Sequence, residues 1–325
     1  MKIEDSDYSD KYEDFSLNKI KELQSFNAKN EISSLCVLND GRILTCETYN
    51  DEEDNSQFKL CVYSVINGFD CDINIDFDDV RNFYPMNDGN VIIILFGEIK
   101  IVKIKKNTIE EVWNEKKKKF KITKLLNQNF FIRTKENKER QYYLYKYDND
   151  KLISFKDLSK LFHKESVLFL CQINESEYAL FSCKKGIIYG TNNHLIFYDM
   201  KNEKRIKSLK IGDGEKCFGD FFLLNKENLI IFGNDSNILV DVKNRKIKNE
   251  FKYELYLDLC TFLNEALFIF LDDFKLLLYE YKEPKNIILK EKKKIGEGKI
   301  EQISKYPGNK LITYTLKNNK IVIYG

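Results

Sequence analysis

The sequence predicts an all-β fold made of seven repeats of four short antiparallel strands, and three observations carry that prediction. Seven polar turns separate paired apolar runs at a near-constant interval. An alternating apolar strand follows each turn by about twenty residues, in step with it. Glycine (14) and proline (3) are scarce while aromatics reach 14%, which excludes a disordered, collagen-like or linker-dominated chain.

The turns, in order, are VLNDGRIL (37–44), PMNDGNVI (85–92), LLNQNFFI (125–132), QINESEYAL (172–180), LLNKENLII (223–231), FLNEALFI (262–269) and KYPGNKLI (305–312). Six carry asparagine, at 39, 87, 127, 174, 225 and 264, with spacings of 48, 40, 47, 51 and 39 residues, and the seventh uses Pro307-Gly308. The companion strands are FKLCVYSV (58–65), EIKIVKIK (98–105), QYYLYKYD (141–148), HLIFYDMK (194–201), NILVDVKN (237–244), KLLLYEYK (275–282) and KIVIYG (320–325). Further period-two segments, CDINIDF (71–77), EEVW (110–113), KLISF (151–155), RIKSLKI (205–211), RKIKNEF (245–251) and NIILKEK (286–292), supply a fourth strand, so each unit reads a-b-c-d. Four-stranded units of about 40 to 45 residues are propeller blades, because none can bury both faces without neighbours. The predicted fold is therefore an all-β, seven-bladed β-propeller with four-stranded antiparallel blades. Low glycine is compatible with it, since Asn and Asp tolerate positive φ in tight turns.

The seventh unit ends after its third strand, at Tyr324-Gly325. Asn18 to Phe26 precedes the first strand a (Ile32 to Leu38) and has the pattern of a fourth strand, so the N-terminal strand is expected to complete the last blade. Residues 1–14 form an acidic tail, expected to be flexible, and residues 15–325 a single propeller domain.

The opening MKIEDSDYSDKYEDF carries acids where a secretory signal needs a basic segment and an apolar core, so no targeting segment is expected. The longest apolar runs, such as Val91 to Phe96 and Ala266 to Leu271, are of strand length, far below the roughly 18 apolar residues of a membrane span. A cytoplasmic chain is expected, with the nucleus the other compartment open to it. The eight cysteines, at 36, 46, 61, 71, 171, 183, 217 and 260, form no CxxC pair and fall mostly in apolar strand segments. They read as buried reduced thiols.

The periodicity and the strand c that ends in an aromatic plus a polar residue resemble the WD40-repeat family of β-propellers, over residues 17–325. Phe197-Tyr198-Asp199 is similar to the family's Trp-Asp strand end, and Asp273 sits where the family often places a turn Asp. The sequence departs from the family in having no Trp-Asp dipeptide and no Gly-His signature, and its one tryptophan, Trp113, lies in a strand d. The resemblance implies a rigid platform whose loops and faces dock partner proteins, with no catalytic role.

The residues agree in offering no catalytic constellation. His163 and His194 fall in different blades without a cysteine or carboxylate at metal-ligand spacing, so no metal and no cofactor is expected. No nucleophile signature is present, and Gly212-Asp213-Gly214-Glu215-Lys216 lacks the spacing of a phosphate loop. Charge distribution is more informative. Although 53 basic and 51 acidic residues nearly cancel, residues 1–100 hold 21 acids against 9 bases, a balance of −12 that leaves +14 for residues 101–325. Asp51, Glu52, Glu53 and Asp54 sit in a b-c loop, and Asp76, Asp78 and Asp79 lie around a d-a turn. The resemblance places both loop types on one face, so these seven are the candidate partner-binding residues, matched to a basic protein surface. Glu47 to Gln57, Lys156 to Lys164 and Lys184 to Asn193 are the longest connections and the candidate contact loops. The lysine runs Lys116 to Lys119 and Lys292 to Lys294 read as edge-strand lysines that block edge-to-edge pairing. The alternative function is recognition of an anionic polymer, nucleic acid or a lipid surface, through the basic sector 101–325.

Overall fold

The computed structural model describes residues 15–50, 56–65, 70–106, 108–116, 120–125, 128–136, 139–162, 165–184, 193–211, 218–225, 227–233, 237–251, 260–263, 267–272, 275–282, 286–295, 299–308 and 310–325. Its strands form seven four-stranded antiparallel sheets. After β1 (Glu22–Asn27), blade 1 holds β2 (Glu31–Val37), β3 (Ile43–Asn50), β4 (Ser56–Ser64) and β5 (Asp70–Phe77). Blade 2 holds β6 (Val80–Pro85), β7 (Asn90–Leu95), β8 (Glu98–Ile104) and β9 (Ile109–Lys116). Blade 3 holds β10 (Phe120–Lys124), β11 (Asn129–Glu136), β12 (Glu139–Asp148) and β13 (Lys151–Asp157). Blade 4 holds β14 (Glu165–Gln172), β15 (Glu177–Lys184), β16 (Asn193–Asp199) and β17 (Lys204–Lys210). Blade 5 holds β18 (Phe218–Asn225), β19 (Asn228–Gly233), β20 (Asn237–Asp241) and β21 (Lys246–Phe251). Blade 6 holds β22 (Cys260–Phe262), β23 (Leu267–Asp272), β24 (Lys275–Lys282) and β25 (Asn286–Lys294). Blade 7 holds β26 (Ile300–Tyr306), β27 (Lys310–Thr315) and β28 (Lys320–Tyr324), completed by β1 in the order β1-β28-β27-β26. The seven expected strands c fall where the sequence placed them, and strands a and b flank each of the seven expected turn segments.

Burial explains why these segments become strands. Every residue of β7 and β19 is buried, whereas β17 is exposed along nearly its whole length. The middle strands thus have an apolar residue on each side of the pleat, and the outer strand faces water. In blade 1, Ile43, Cys61 and Tyr63 enter one core while Leu44, Cys46, Leu60 and Val62, one residue out of phase, enter the next. Period two with both phases apolar is what a sheet packed on two sides requires.

The chain divides into two compact units. The first comprises Met1–Lys117, Asp258–Glu280 and Leu289–Gly325. Among its described residues, cores lie between blades 6 and 7, blades 7 and 1, and blades 1 and 2. The second comprises Lys118–Leu257 and Tyr281–Ile288, with cores between blades 3 and 4 and blades 4 and 5. In its first core the aromatics form a series: Phe131 stacks on Tyr142 at 6.0 Å, and Phe162 meets Tyr142 at 5.9 Å and Tyr198 at 5.6 Å edge to face.

Turn chemistry follows the sequence closely. Gly41, Gly89 and Gly308 take positive φ in three a-b turns, and Asn149, Asp150, Asn318 and Asn319 do so without glycine. Glu203, Arg245 and Gln128 also adopt positive φ, so the left-handed positions extend beyond the Asn and Asp expected there. The turn asparagines act through their side chains. The Asn174 oxygen accepts the N–H groups of Ser176 (3.0 Å) and Glu177 (2.9 Å), and Asn39 Nδ2 donates to Met86 O of the equivalent turn in blade 2 (2.7 Å). Asp199, which ends strand c of blade 4, accepts from Lys201 N, Asn202 N and Asn202 Nδ2, and these bonds hold its carboxyl below the usual range.

A second device joins blades. Near their starts, β2 and β14 each carry an irregularity in register, after Ile32 and after Val167. The N–H of Ile32 donates to the Tyr314 hydroxyl of blade 7 at 3.0 Å, and that of Val167 to the Tyr142 hydroxyl of blade 3 at 3.2 Å. In both cases the buried phenol of one blade receives a backbone donor of the next blade's inner strand.

Two expectations shift in detail. The N-terminal fourth strand is Glu22–Asn27, and of the residues before it, which are not strand, Phe15, Leu17 and Ile20 are buried and join the core between blades 6 and 7. Ser16 Oγ and Asn18 N both donate to Glu291 Oε2 at 2.9 Å, and Lys293 Nζ donates to Ile20 O. The connection after β13 is likewise no free loop, because Leu158 and Phe162 are buried in the core between blades 3 and 4.

Two measurements check this joint. Leu17 is fully buried, so Leu17→Ala is expected to cost about 2–5 kcal/mol in denaturant unfolding, and deletion of residues 15–27 considerably more. Tyr314→Phe leaves the Ile32 N–H without its acceptor in a buried site and is expected to cost about 1–3 kcal/mol, whereas a surface phenol would change stability little.

Candidate functional site

The sequence-derived candidates fall in three places. Asp51, Glu52, Glu53 and Asp54, between β3 and β4, lie outside the described residues, as do His163, Asp273 and most of the 184–193 connection. Asp76 is the penultimate residue of the outer strand β5, and Asp78 and Asp79 form the short link to β6, all three exposed. Two of them have charged or polar neighbours. Asp76 accepts from the Tyr49 hydroxyl at 3.1 Å and lies 3.9 Å from Lys59 Nζ. Asp78 lies 3.8 Å from Lys100 Nζ, an ammonium also near Glu98 (3.8 Å) and Glu111 (3.3 Å) and over the Phe77 ring. The d-a junction of blades 1 and 2 therefore sets three carboxylates around one lysine and leaves net negative charge at the surface.

The expected contact loop beginning at Glu47 requires correction. Strand β3 continues to Asn50 and β4 begins at Ser56, so the loop is far shorter, and Glu47 is only 1% exposed. The period-two pattern runs on through Thr45, Glu47 and Tyr49, and the polarity of this stretch hides the strand.

Glu47 lines a cavity of about 570 Å³ bounded by β1 of blade 7, the link into β2, and β3, β4 and β5 of blade 1. Register sets its walls. On β4, Lys59, Cys61 and Tyr63 share a face, opposite Asp76, Asn74 and Cys71 of β5, and Lys59 also lies opposite Glu47 of β3. Phe26 of β1 closes one side, its ring 4.7 Å from that of Tyr63. The Glu47 carboxylate accepts from the Tyr63 hydroxyl, from Thr45 Oγ1 (3.4 Å) and from Asn30 Nδ2 (3.1 Å). Burial, and then the bond to Glu47, push the Tyr63 phenol well up. Lys59 Nζ sits over the Tyr49 ring, 4.5 Å from its centroid.

The cavity also settles part of the cysteine reading. Cys36, Cys46 and Cys61 are buried free thiols, but Cys71 is exposed on the cavity wall, contrary to the general expectation of burial. Its position on the outer strand, opposite Tyr63 at a register shift, is the reason. The hydrogen bond with Cys61 pulls the Cys71 thiol down to about 7, and the same bond, with burial, pushes Cys61 up. His194 is the second residue of β16, and its Nδ1 lies 3.2 Å from Ser208 Oγ on the outer strand. Among the described residues no group of three or more His, Cys, Asp or Glu side chains is placed to hold a metal ion. No described helix is long and apolar enough to cross a membrane.

No protein-family model matches the chain, and no curated protein matches it in sequence. Solved structures match it in fold. A chain of the crystal structure of a mitotic checkpoint complex superposes with a TM-score of 0.62 at 9% identity, covering 93% of each chain. The β-propeller domain of Cps50 (Swd1) from Myceliophteria thermophila superposes with a TM-score of 0.60 at 10% identity, covering 93% of this chain and 98% of that one. The fold is a WD40-like, seven-bladed β-propeller with four-stranded antiparallel blades, the last completed by the N-terminal strand.

Thiol chemistry gives a check on the cavity. Alkylation of Cys71 by iodoacetamide is expected to rise steeply as pH passes through about 7, because the thiolate is the nucleophile, while Cys36, whose thiol burial pushes far up, stays unlabelled until the protein unfolds. Peptide mapping by mass spectrometry reads both.

Proposed function

We propose that the protein is a non-catalytic platform that docks partner proteins within a complex, acting in the cytoplasm. The observation that carries this reading is the fold likeness across 93% of the chain to a propeller found in a multiprotein assembly, the mitotic checkpoint complex. Fold alone does not fix function, so the reading draws on the surface as well. The acidic junction of Asp76, Asp78 and Asp79, together with the acidic run Asp51, Glu52, Glu53 and Asp54 of the sequence, suits a partner with a basic docking segment. Exposed carboxylates of this kind steer association and set its salt sensitivity more than they add affinity. The link between β5 and β6 is held between two rigid blades, which fixes where those charges are displayed.

Affinity capture of the tagged protein from its own cells, at low and at physiological salt, tests the reading. A stoichiometric protein set that survives physiological salt is the expected result. Recovery of only nucleic acid or lipid, lost as salt rises, would instead assign the function to the basic sector 101–325. Charge reversal at Asp76, Asp78 and Asp79 to lysine is expected to weaken capture of the basic partner at least tenfold with melting temperature unchanged. Unaltered capture would remove the acidic junction from the interface.

A further inference from the structure

Two thiols face one cavity from adjacent strands. Cys61 of β4 and Cys71 of β5 both line the cavity of about 570 Å³ in blade 1. They differ in access: Cys61 is 2% exposed, whereas Cys71 is the exposed thiol among the described free cysteines. Register explains how they meet. Cys61 pairs with Asn74, Val62 with Ile73 and Tyr63 with Cys71, so Asp72 is an extra residue on β5 and the strand bulges there. Cys71 thereby reaches the face that carries Cys61, and the two thiols are hydrogen bonded to each other. Strand β5 is bonded to β4 alone, so it can move at the bulge to close an S–S bond without breaking a second ladder.

The surroundings give the two sulfurs different roles. A thiol that responds to oxidants is accessible, inclined to ionise and set beside a second thiol. Cys71 meets all three conditions. The bond from Cys61 favours its thiolate and the Lys29 ammonium adds to that, against partial burial and the Glu47 carboxylate. Cys61 keeps its proton, because that same bond, burial and Glu47 all oppose its ionisation. Cys36 and Cys46 lie instead in the core between blades 1 and 2, closed to solvent. We propose that Cys71 and Cys61 form an oxidant-responsive dithiol, in which hydrogen peroxide oxidises Cys71 and Cys61 then closes a reversible disulfide between β4 and β5. In the first step the Cys71 thiolate attacks one peroxide oxygen: an S–O bond forms, the O–O bond breaks, and the departing hydroxide takes up a proton to become water. In the second, Cys61 Sγ attacks the Cys71 sulfenic acid: the S–S bond forms, the S–O bond breaks, and the departing hydroxide takes the Cys61 proton. Two thiols thus supply the two electrons that reduce one peroxide to two waters, and an added dithiol reductant reverses the change by thiol-disulfide exchange. The inference stands independently of the platform reading.

The test uses the full chain, treated with hydrogen peroxide while folded, then denatured in acid and alkylated. Both cysteines fall in one tryptic peptide, Leu60 to Arg81, which contains no other cysteine, so the number of alkyl groups on it reads the pair directly. Without peroxide the peptide is expected to carry two alkyl groups. After peroxide it is expected to carry none, with the mass of the internal disulfide, and dithiothreitol is expected to restore both. Cys71 is expected to oxidise at least tenfold faster than Cys36 or Cys46. In Cys61→Ser the disulfide is lost and dimedone is expected to trap a sulfenic acid at Cys71, whereas in Cys71→Ser the buried Cys61 is expected to stay a thiol. The wild-type measurement needs neither variant to fold. A Cys71 that remains a thiol, that passes to sulfinic acid without a disulfide, or that pairs with any cysteine other than Cys61 of its own chain overturns the proposal, as does oxidation of Cys61 undiminished in Cys71→Ser.

Discussion

The structure depends on one constraint: a blade whose two middle strands are apolar on both faces is unstable without a neighbour on each side. In blade 1 the alternate residues of β3 and β4 feed two different cores, one shared with blade 7 and one with blade 2. Stability is then a sum of interfaces between sheets, and the place where the two ends of the chain meet is where an interface is easiest to lose. The N-terminal segment secures that place twice. Strand β1 completes blade 7 by pairing with β28, and Phe15, Leu17 and Ile20 fill the core between blades 6 and 7. One short stretch of chain thus supplies both edge hydrogen bonding and side-chain volume, which hold the pairing and the packing to a common register.

Burying both faces creates a second problem, the backbone donors of irregular inner strands. A bulge twists the inner strand and takes N–H groups out of the ladder, and a buried donor without an acceptor costs more than a hydrogen bond gains. Tyr314 and Tyr142 meet this need with a phenol from the preceding blade. The choice of tyrosine is physical: a ring large enough to fill the core, with a polar tip that reaches the next sheet. The aromatic content of the chain is therefore partly a consequence of how its blades are joined, and Phe131, Tyr142, Phe162 and Tyr198 show the same rings packed on one another inside a core.

Repetition is why the fold was legible in the sequence. Seven Asn- or Pro-Gly-marked turns, each followed by an alternating strand, set the blade boundaries, because turn chemistry and period two act locally. The unpaired seventh blade also indicated where the first strand belongs. Side-chain roles that depend on contacts distant in sequence were not legible. Nothing local marks Leu17 as a core residue of blades 6 and 7, or Tyr314 as the acceptor for Ile32, since each partner lies more than 240 residues away. Cys71 reads as another apolar-strand cysteine until the register shift beside Tyr63 turns it to the surface.

Glu47 is the sharpest case of what local pattern misses. Read by polarity, it opens a loop; read by alternation, it belongs with Thr45 and Tyr49 on one face of β3, and that face turns inward. A strand can carry a carboxylate into a sheet only if donors await it, and the donors come from three separate elements: Thr45 on its own strand, Tyr63 on the next, and Asn30 from the link that precedes β2. Such a convergence of hydroxyl and amide donors stands in place of the ion pair that Lys59, directly opposite on β4, would have made at no extra length of chain. Lys59 lies over Tyr49 instead, and Asp76 shares that lysine. The acidic character read from the sequence of blade 1 therefore has two physical forms. One is a solvated junction suited to steering at long range, and the other is a carboxyl group carried into the sheet and held there by hydroxyl and amide donors.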